Sequence, residues 1–275
     1  MRPLISADEL LQQTSSAMLP VILDCRYDLA DTANGRVHYG QGHIPGAQYL
    51  SLDDDCCAAI GAHGGRHPLP SVAAMAALFS GCGVTRGETP VVAYDDEGGC
   101  FAARVWWMLR YLGHEDVRVL DGGFTAWKEA GGTVTREQPV PIPASFVPAV
   151  QEQMRVDAGE VSARDASTLL IDCRAHERFT GREEPIDPVA GHIPGAFNVP
   201  WKDLVEEDGR FRPVAALAEQ LTAVDERSIM YCGSGVTACV NILAAEHCAL
   251  GLPRLYAGSW SDWIARSDSP VATGE

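Results

Sequence analysis

Positively charged side chains are scarce in this sequence. Its 275 residues include 21 lysines and arginines against 37 aspartates and glutamates, which gives a formal charge of −16 at pH 7. Binding to a phosphate backbone requires clustered basic residues, so this balance argues against a nucleic-acid partner. It also means that an anionic substrate would need a locally cationic pocket.

Long apolar runs and paired cysteines are missing as well. No apolar stretch approaches the roughly 20 residues that span a bilayer, and no basic segment followed by an apolar one opens the chain. We therefore expect no membrane partner and a cytoplasmic protein. The nine cysteines are odd in number and form no Cys-x-x-Cys pair, which argues against a disulfide framework or a structural zinc site. Neither a metal nor an organic cofactor is expected.

The sequence does contain an internal repeat. Four motifs recur in the same order, namely Leu23-Asp24-Cys25-Arg26 as Ile171-Asp172-Cys173-Arg174, Gly42-His43-Ile44-Pro45-Gly46-Ala47 as Gly191-His192-Ile193-Pro194-Gly195-Ala196, Ala93-Tyr94 as Met230-Tyr231, and Asp121-Gly122-Gly123-Phe124 as Ala257-Gly258-Ser259-Trp260. Chance similarity would not keep that order, so the repeat indicates two copies of one domain.

Each copy alternates short apolar runs with helical patterns. In the first copy these patterns predict, among others, strands at residues 21–24, 91–94 and 117–120 and a helix over Ser71–Phe79. This alternation is typical of an α/β fold in which a mostly parallel sheet has helices on both faces. We predict a first domain at residues 1–138 and a second at residues 156–275. Residues 139–155 form the linker, because the three prolines of Val140-Pro141-Ile142-Pro143-Ala144-Ser145-Phe146-Val147-Pro148 exclude a helix there.

Cys232 is the strongest candidate for a reactive residue. It follows the apolar run Ile229-Met230-Tyr231, which reads as a strand, and a helical pattern begins at Ala238. A cysteine between a strand and a helix N-terminus faces backbone N–H groups, so its pKa should be lowered. The alternative is a buried structural cysteine beside a tight turn. Gly233 and Gly235 would let the loop curl around the sulfur.

The loop Cys232-Gly233-Ser234-Gly235-Val236-Thr237-Ala238 resembles the active loop of the rhodanese superfamily, most closely that of 3-mercaptopyruvate sulfurtransferases. With the repeated motifs, this resemblance covers nearly the whole chain. It implies a sulfurtransferase that carries a sulfane sulfur as a Cys232 persulfide, with residues 233–237 contacting the substrate. Thr237 could instead serve only as a helix cap.

The first copy is expected to be catalytically silent. Aligning Tyr94 with Tyr231 places Asp95 where the second copy has Cys232, and a carboxylate cannot carry a sulfane sulfur. Tandem members of the superfamily show the same division between an inactive first copy and an active second one.

The resemblance also suggests how the donor binds. Thiosulfate enzymes tend to have basic residues after the cysteine, whereas Gly233 and Ser234 are uncharged, so 3-mercaptopyruvate is favoured and thiosulfate is the alternative. Arg178 matches the family's substrate-binding arginine, and Arg182 is a further candidate. Either could be a surface arginine paired with Glu183 or Glu184.

A further arginine, which some mercaptopyruvate enzymes have before the Gly-His-Ile-Pro-Gly motif, is absent from Ile186-Asp187-Pro188-Val189-Ala190. This absence leaves the donor open. The expected partners are a small anionic sulfur donor and a thiol acceptor such as thioredoxin, or cyanide. We expect a monomer or a dimer.

Three histidines are candidates for a catalytic or a structural role, namely His67, His43 and His192. Mammalian mercaptopyruvate enzymes have a proposed Asp–His–Ser set, and Asp53, His67 and Ser234 fall at similar places. The alternative for His67 is a histidine on a surface loop. His43 and His192 occur in both copies, the silent one included, so a structural role is expected for them.

The sequence argues against two other functions, a cysteine phosphatase and a non-catalytic binding module. A cysteine phosphatase needs an arginine six residues after its cysteine, and Ala238 stands there. A non-catalytic binding module predicts a degraded loop in both copies, whereas the loop of the second copy is intact.

Overall fold

A computed structural model describes residues 2–14 and 19–275. The chain divides into two compact units, the first made of Met1–Ala58, Pro70–Gln151 and Glu207–Phe211, and the second of Ala59–Leu69, Glu152–Glu206 and Arg212–Glu275. Each unit therefore includes one short segment that is remote in sequence from the rest of it.

The first unit alternates strands and helices along the chain. In order, its elements are β1 Leu4–Ile5, α1 Ala7–Thr14, β2 Val21–Asp24, α2 Asn34–Gln41, β3 Gln48–Tyr49, α3 Leu52–Asp55, α4 Val72–Gly81, β4 Val91–Tyr94, α5 Ala102–Tyr111, β5 Val117–Leu120 and α6 Gly123–Glu129. The strands pair in the order β1-β5-β4-β2-β3, and every pairing is parallel. All four residues of β4 are buried, as a central strand of a covered parallel sheet requires.

The second unit repeats this arrangement. Its elements are β6 Arg155–Val156, α7 Ala158–Ala163, β7 Leu170–Asp172, α8 His176–Thr180, β8 Ala196–Asn198, α9 Val214–Gln220, β9 Ile229–Tyr231, α10 Ala238–His247, β10 Arg254–Tyr256 and α11 Ser259–Trp263, with 3₁₀ turns at Glu152–Met154 and Trp201–Leu204. The strand order β6-β10-β9-β7-β8 is that of the first sheet, again all parallel. The predicted α/β class with one parallel sheet per copy is confirmed.

Local sequence signals explain where the first helix of each unit begins. In the first, Ser6 Oγ accepts from the Glu9 N–H at 3.2 Å, and the Glu9 carboxylate accepts from the Ser6 N–H at 3.0 Å. In the second, Asp157 and Glu160 make the same reciprocal pair. Each capping box satisfies two N–H groups that a helix start leaves without partners.

The segment from Gln138 to Gln151 forms no regular element and runs along the first unit. Its backbone is attached through the Ala144 N–H to the Ser80 carbonyl at 2.9 Å and the Ala149 N–H to the Leu112 carbonyl at 2.9 Å. Phe146 is buried against Phe79. Within the described part of the chain, no helix has the length and apolar character to cross a bilayer.

Candidate active site

Cys232 lies at the carboxyl end of β9, the central strand of the second sheet, six residues before α10 begins. Its side chain is buried, with 2% of the residue exposed. Ligands of parallel α/β sheets bind beyond the carboxyl ends of the strands. The strand order therefore places this cysteine where the fold builds its sites.

The backbone of Cys232 is fixed by the segment that follows β10. The Cys232 N–H donates to Ser259 Oγ at 3.1 Å, and the Cys232 carbonyl accepts from the Trp260 N–H at 3.0 Å. Ser259 is fully buried and has φ 55°, a left-handed conformation that is unfavourable for a residue with a Cβ. In the first copy the corresponding residue is Gly123, which has φ 58° without that cost.

The loop turns its N–H groups toward the Cys232 sulfur. The Gly235 N–H donates to Sγ at 3.2 Å. Burial alone would raise the pKa of Cys232, but hydrogen bonds from the Thr237 hydroxyl and from the N–H groups of Ser234, Ala238 and Gly235 outweigh it and lower the pKa. The direction agrees with the expectation from sequence. Thr237 does not cap α10 with its side chain, and its hydroxyl bonds to the sulfur instead.

Gly235 has to be a glycine for two reasons. Its φ is +77°, and a Cβ there would collide with the backbone carbonyl of Ala257. Gly233 differs, since the nearest atoms to a Cβ on it belong to side chains, with Arg66 Nη2 at 2.8 Å and two nitrogens of Arg178 at 3.5 Å. Val236 is buried within the loop.

Arg178 reaches the loop from α8. Its Nε donates to both oxygens of Glu184 at 3.0 Å, and its Nη2 donates to Asp187 at 2.8 Å. The predicted alternative of a pair with Glu184 is thus present, but the side chain is only 15% exposed and its guanidinium lies beside Gly233. Burial would raise the pKa of Glu184, but hydrogen bonds from Arg178 and from backbone N–H groups hold it below its usual value. Arg182 is exposed, and among the described contacts none connects it to the loop.

His67 lies against the loop rather than on an open surface. It belongs to Ala59–Leu69, which packs in the second unit, and its Nδ1 is 2.7 Å from Ser234 Oγ. Both residues are buried. Asp53 belongs to the first unit, where its carboxylate accepts the Tyr27 hydroxyl at 2.6 Å. The complete Asp–His–Ser set therefore stays a prediction.

In the first copy, the loop after β4 closes around a carboxylate of its own. Asp95 is buried, and its two oxygens accept the N–H groups of Glu97, Gly99, Phe101 and Ala102 at 2.8–2.9 Å. The donors that would otherwise hold an external anion are therefore occupied by the protein itself.

The remaining repeated motifs are structural in both copies. His43 stacks on Tyr39 and bonds to its carbonyl, and His192 does the same with Phe179. Two buried pairs, Asp24 with Arg26 and Asp172 with Arg174, hold the strand ends, and each arginine also donates to the carbonyl of the glycine before the histidine. Within residues 2–14 and 19–275, no group of three or more potential ligands could hold a metal ion.

Three residues at the loop escaped sequence reasoning, namely Arg66, Asp187 and Ser259. Arg66 directly precedes His67, and its guanidinium binds Asp187 at 2.9 and 3.3 Å. Asp187 lies in the stretch where an arginine was sought and not found. The only sequence signal for Ser259 was that it replaces a glycine of the first copy.

Comparison with known proteins addresses the family. A model of the rhodanese-like domain matches residues 6–130 and 157–266. The chain is 43% identical over 282 residues to a probable 3-mercaptopyruvate sulfurtransferase of Pseudomonas aeruginosa, covering 99% of this chain and 98% of that one. It is 40% identical over 279 residues to a putative thiosulfate sulfurtransferase of Mycobacterium tuberculosis, covering 98% and 97%.

A solved structure agrees with these relatives. The 3-mercaptopyruvate sulfurtransferase from Leishmania major superposes with a TM-score of 0.84 at 32% identity, covering 95% of this chain and 74% of that one. The resemblance inferred from the cysteine loop and the repeated motifs is confirmed. The chain belongs to the rhodanese family and is a sulfurtransferase with two rhodanese-like domains.

Proposed function

We propose that Cys232 is the nucleophile of this sulfurtransferase and that 3-mercaptopyruvate is its donor. In this proposal residues 156–275 form the catalytic domain, residues 139–155 the linker and residues 1–138 a silent domain. The observation that carries it is the buried Cys232 sulfur, which accepts the Gly235 N–H and has a lowered pKa. A thiolate held in this way is ready to attack, whereas Asp95 in the first copy is not a sulfur carrier.

The side chains around the loop favour a carboxylate donor. Gly233 and Ser234 bring no charge to the sulfur, so the cation for the donor comes from Arg178, whose guanidinium lies beside Gly233. A guanidinium binds a carboxylate through charge-assisted hydrogen bonds. A monoanion such as 3-mercaptopyruvate fits this arrangement, because its carboxylate can bind Arg178 while its uncharged thiol end faces the Cys232 sulfur.

The reaction then takes two steps. The Cys232 thiolate attacks the donor sulfur, an S–S bond forms, and the electron pair of the broken C–S bond passes to the carbon as the enolate of pyruvate, which takes up a proton. A thiolate acceptor or cyanide next attacks the outer sulfur, and the S–S electron pair returns to Cys232. During the intermediate state, the loop N–H groups stabilise the negative persulfide.

The His67–Ser234 pair supplies a route for the proton in this proposal. The 2.7 Å contact between His67 Nδ1 and Ser234 Oγ lies within the loop, so a hydroxyl backed by an imidazole can deliver a proton to the enolate. Acceptors are thiols such as thioredoxin, or cyanide, and the proposed place of action is the cytoplasm. Asp53 and Arg182 are assigned no step in this reaction.

Thiosulfate is the second candidate donor. The similarity to a putative thiosulfate sulfurtransferase at 40% identity over nearly the full length favours it. The two donors share the persulfide step and differ in charge, so kinetics separates them.

The test is a steady-state assay of both donors with cyanide as acceptor. We expect kcat/KM to be about tenfold or more higher for 3-mercaptopyruvate, which corresponds to about 1.4 kcal/mol of transition-state preference. The opposite ratio would replace the donor but keep the mechanism.

The nucleophile is tested separately. Cys232→Ser should abolish transfer with unchanged circular dichroism, while Cys248→Ser, at the end of α10, serves as the cysteine control. With donor alone, the intact mass of the parent should rise by one sulfur atom and fall again on addition of cyanide. Turnover by Cys232→Ser would refute the mechanism.

A further inference from the structure

The segment Ala59–Leu69, which packs in the second unit, has a counterpart in Glu207–Phe211, which packs in the first. Both contain a Gly-Arg pair in which the glycine has positive φ, Gly65 at 74° and Gly209 at 79°. The first pair is followed by His67 at the Cys232 loop, and the second by Phe211, whose ring lies 3.5 Å from a Cβ placed on Gly99 in the Asp95 loop. The two units thus allow Arg66 to be compared with Arg210.

Arg66 is held at the loop by its own backbone. The Gly64 N–H donates to Asp262 at 2.8 Å, and the Arg66 N–H donates to Ser261 Oγ at 3.1 Å. A Cβ on Gly65 would collide with the Gly258 carbonyl, so the glycine is required for this close approach. The backbone therefore fixes where the Arg66 side chain starts.

The guanidinium groups of Arg66 and Arg178 both lie beside Gly233. Arg66 Nη2 is 2.8 Å, and two nitrogens of Arg178 are 3.5 Å, from the point that a Cβ on Gly233 would occupy. One carboxylate, Asp187, binds both guanidiniums, through Arg66 Nε at 2.9 Å and Arg178 Nη2 at 2.8 Å. Two cations thus converge beside the residue that follows Cys232.

The charges around Arg178 show why a second cation is needed there. Without Arg66, the connected ion pairs would comprise two arginines and three carboxylates, a net charge of −1, and their members are Arg174, Arg178, Asp172, Glu184 and Asp187. A donor carboxylate would be repelled by such a group. Arg66 brings the group to neutrality.

We propose that Arg66 is a second substrate-binding arginine, which acts with Arg178 beside Gly233 to hold the anionic end of the sulfur donor. The inference deepens the proposed function and rests on it for the identity of the donor. Asp187 positions both guanidiniums, so that Arg66 supplies the positive charge that residues 186–190 do not.

The matched pair of variants is Arg66→Ala and Arg210→Ala. Arg210 has the same Gly-Arg context but binds Glu129 and Asp208, and its side chain is 39% exposed against 32% for Arg66. We expect Arg66→Ala to raise the KM for 3-mercaptopyruvate about tenfold, and that for the dianion thiosulfate more. The kcat and the KM for cyanide should change less than about threefold, and Arg210→Ala should resemble the parent.

A merely structural role for Arg66 predicts a different pattern. Loss of a fixed loop would lower kcat for both donors alike and would not depend on donor charge. Arg66→Lys separates the two roles further, because lysine keeps the positive charge but lacks the planar guanidinium. Its KM should therefore lie between those of the parent and Arg66→Ala. Equal KM values for Arg66→Ala and Arg210→Ala, or equal effects on both donors, would overturn the proposal.

Anion binding is also measured apart from catalysis. In a Cys232→Ser background, calorimetric titration with pyruvate, which has the carboxylate but no sulfur, should give a Kd that Arg66→Ala weakens about tenfold and Arg210→Ala leaves unchanged. An equal Kd in all three proteins, or no pyruvate binding in any, would refute the role of Arg66. If turnover of both donors failed while this difference held, the proposed function would be wrong and the anion site would stand.

Discussion

The hydroxyl of Thr237 provides a quantitative test of how the loop activates Cys232. Thr237→Val preserves the shape of the side chain and removes one hydrogen bond to the sulfur. A hydrogen bond to a charged group contributes about 1.5–3 kcal/mol. Because this bond stabilises the thiolate and not the thiol, its loss should raise the pKa of Cys232.

The assay is the pH dependence of alkylation by iodoacetamide, since only the thiolate reacts. Burial raises the pKa values of Cys25, Cys56, Cys82 and Cys173, so these thiols stay silent near neutral pH. Thr222→Val is the control, because the Thr222 hydroxyl donates to carbonyls at the end of α9. An unchanged alkylation midpoint in Thr237→Val would refute the role of the hydroxyl.

The same hydrogen bond links stability to pH with a definite sign. The pKa of Cys232 is lowered on folding, so thiolate stabilisation is fully present above the unfolded pKa of about 8.5 and is lost as pH falls through the folded value. Thr237→Val should therefore lower the free energy of unfolding more at alkaline than at acidic pH. Chemical denaturation at both pH values measures the difference.

Three further outcomes follow from the same contacts. Asp95→Ala removes the acceptor of four N–H groups and should destabilise the first unit by about 3 kcal/mol or more in urea unfolding, and a smaller loss would contradict the closed loop. Gly233→Ala meets only side chains and should raise the donor KM with a small change in melting temperature, whereas Gly235→Ala meets backbone and should unfold the second unit; equal melting temperatures would be inconsistent with this. Ser259→Gly should be about 1 kcal/mol more stable than Ser259→Ala, since both lose the hydroxyl and only the glycine relieves φ 55°; equal free energies of unfolding would argue against strain.

Strong local signals in the sequence predicted much of the fold. Strands at residues 21–24, 91–94 and 117–120 were predicted with their observed bounds, and the helix predicted over Ser71–Phe79 is α4, Val72–Gly81. The helix α2, Asn34–Gln41, was not predicted, because Gly35 and Gly40 lower its helix propensity. Gly35 is required there for packing, since a Cβ on it would collide with the Arg26 carbonyl. Tertiary contact, not propensity, decides this element.

The candidate site also has a part that the sequence predicted and a part that it did not. The Cys232 loop could be predicted because its strand, glycines and helix are contiguous in sequence. The role of Arg66 could not be predicted from sequence, because Ala59–Leu69 packs in the second unit although it is remote in sequence from the Cys232 loop. For example, 167 positions separate His67 from its contact Ser234. Asp187 was considered only as part of a stretch without arginine. The Asp187 carboxylate binds Arg66, which comes from a remote part of the chain. This contact depends on tertiary packing, which the periodicity and spacing of the sequence do not reveal.

Comparing the two copies shows how the Asp95 loop differs from the Cys232 loop, which we propose to be the reactive one. Strand order, the buried Asp–Arg pairs and the stacked histidines are common to both, so none of these distinguishes them. The differences lie around residue 232 and its counterpart: the Asp95 carboxylate accepts the N–H groups of its own loop, whereas the Cys232 sulfur accepts the Gly235 N–H. Phe211 packs beside Gly99 in the first copy, whereas His67 contacts Ser234 in the second. Gly123 adopts its positive φ without strain, whereas Ser259 has a strained positive φ and its hydroxyl oxygen accepts the Cys232 N–H. Because these differences concentrate where the proposed persulfide would lie, the proposed chemistry depends on the loop and its contacts, and the scaffold that both copies share positions them.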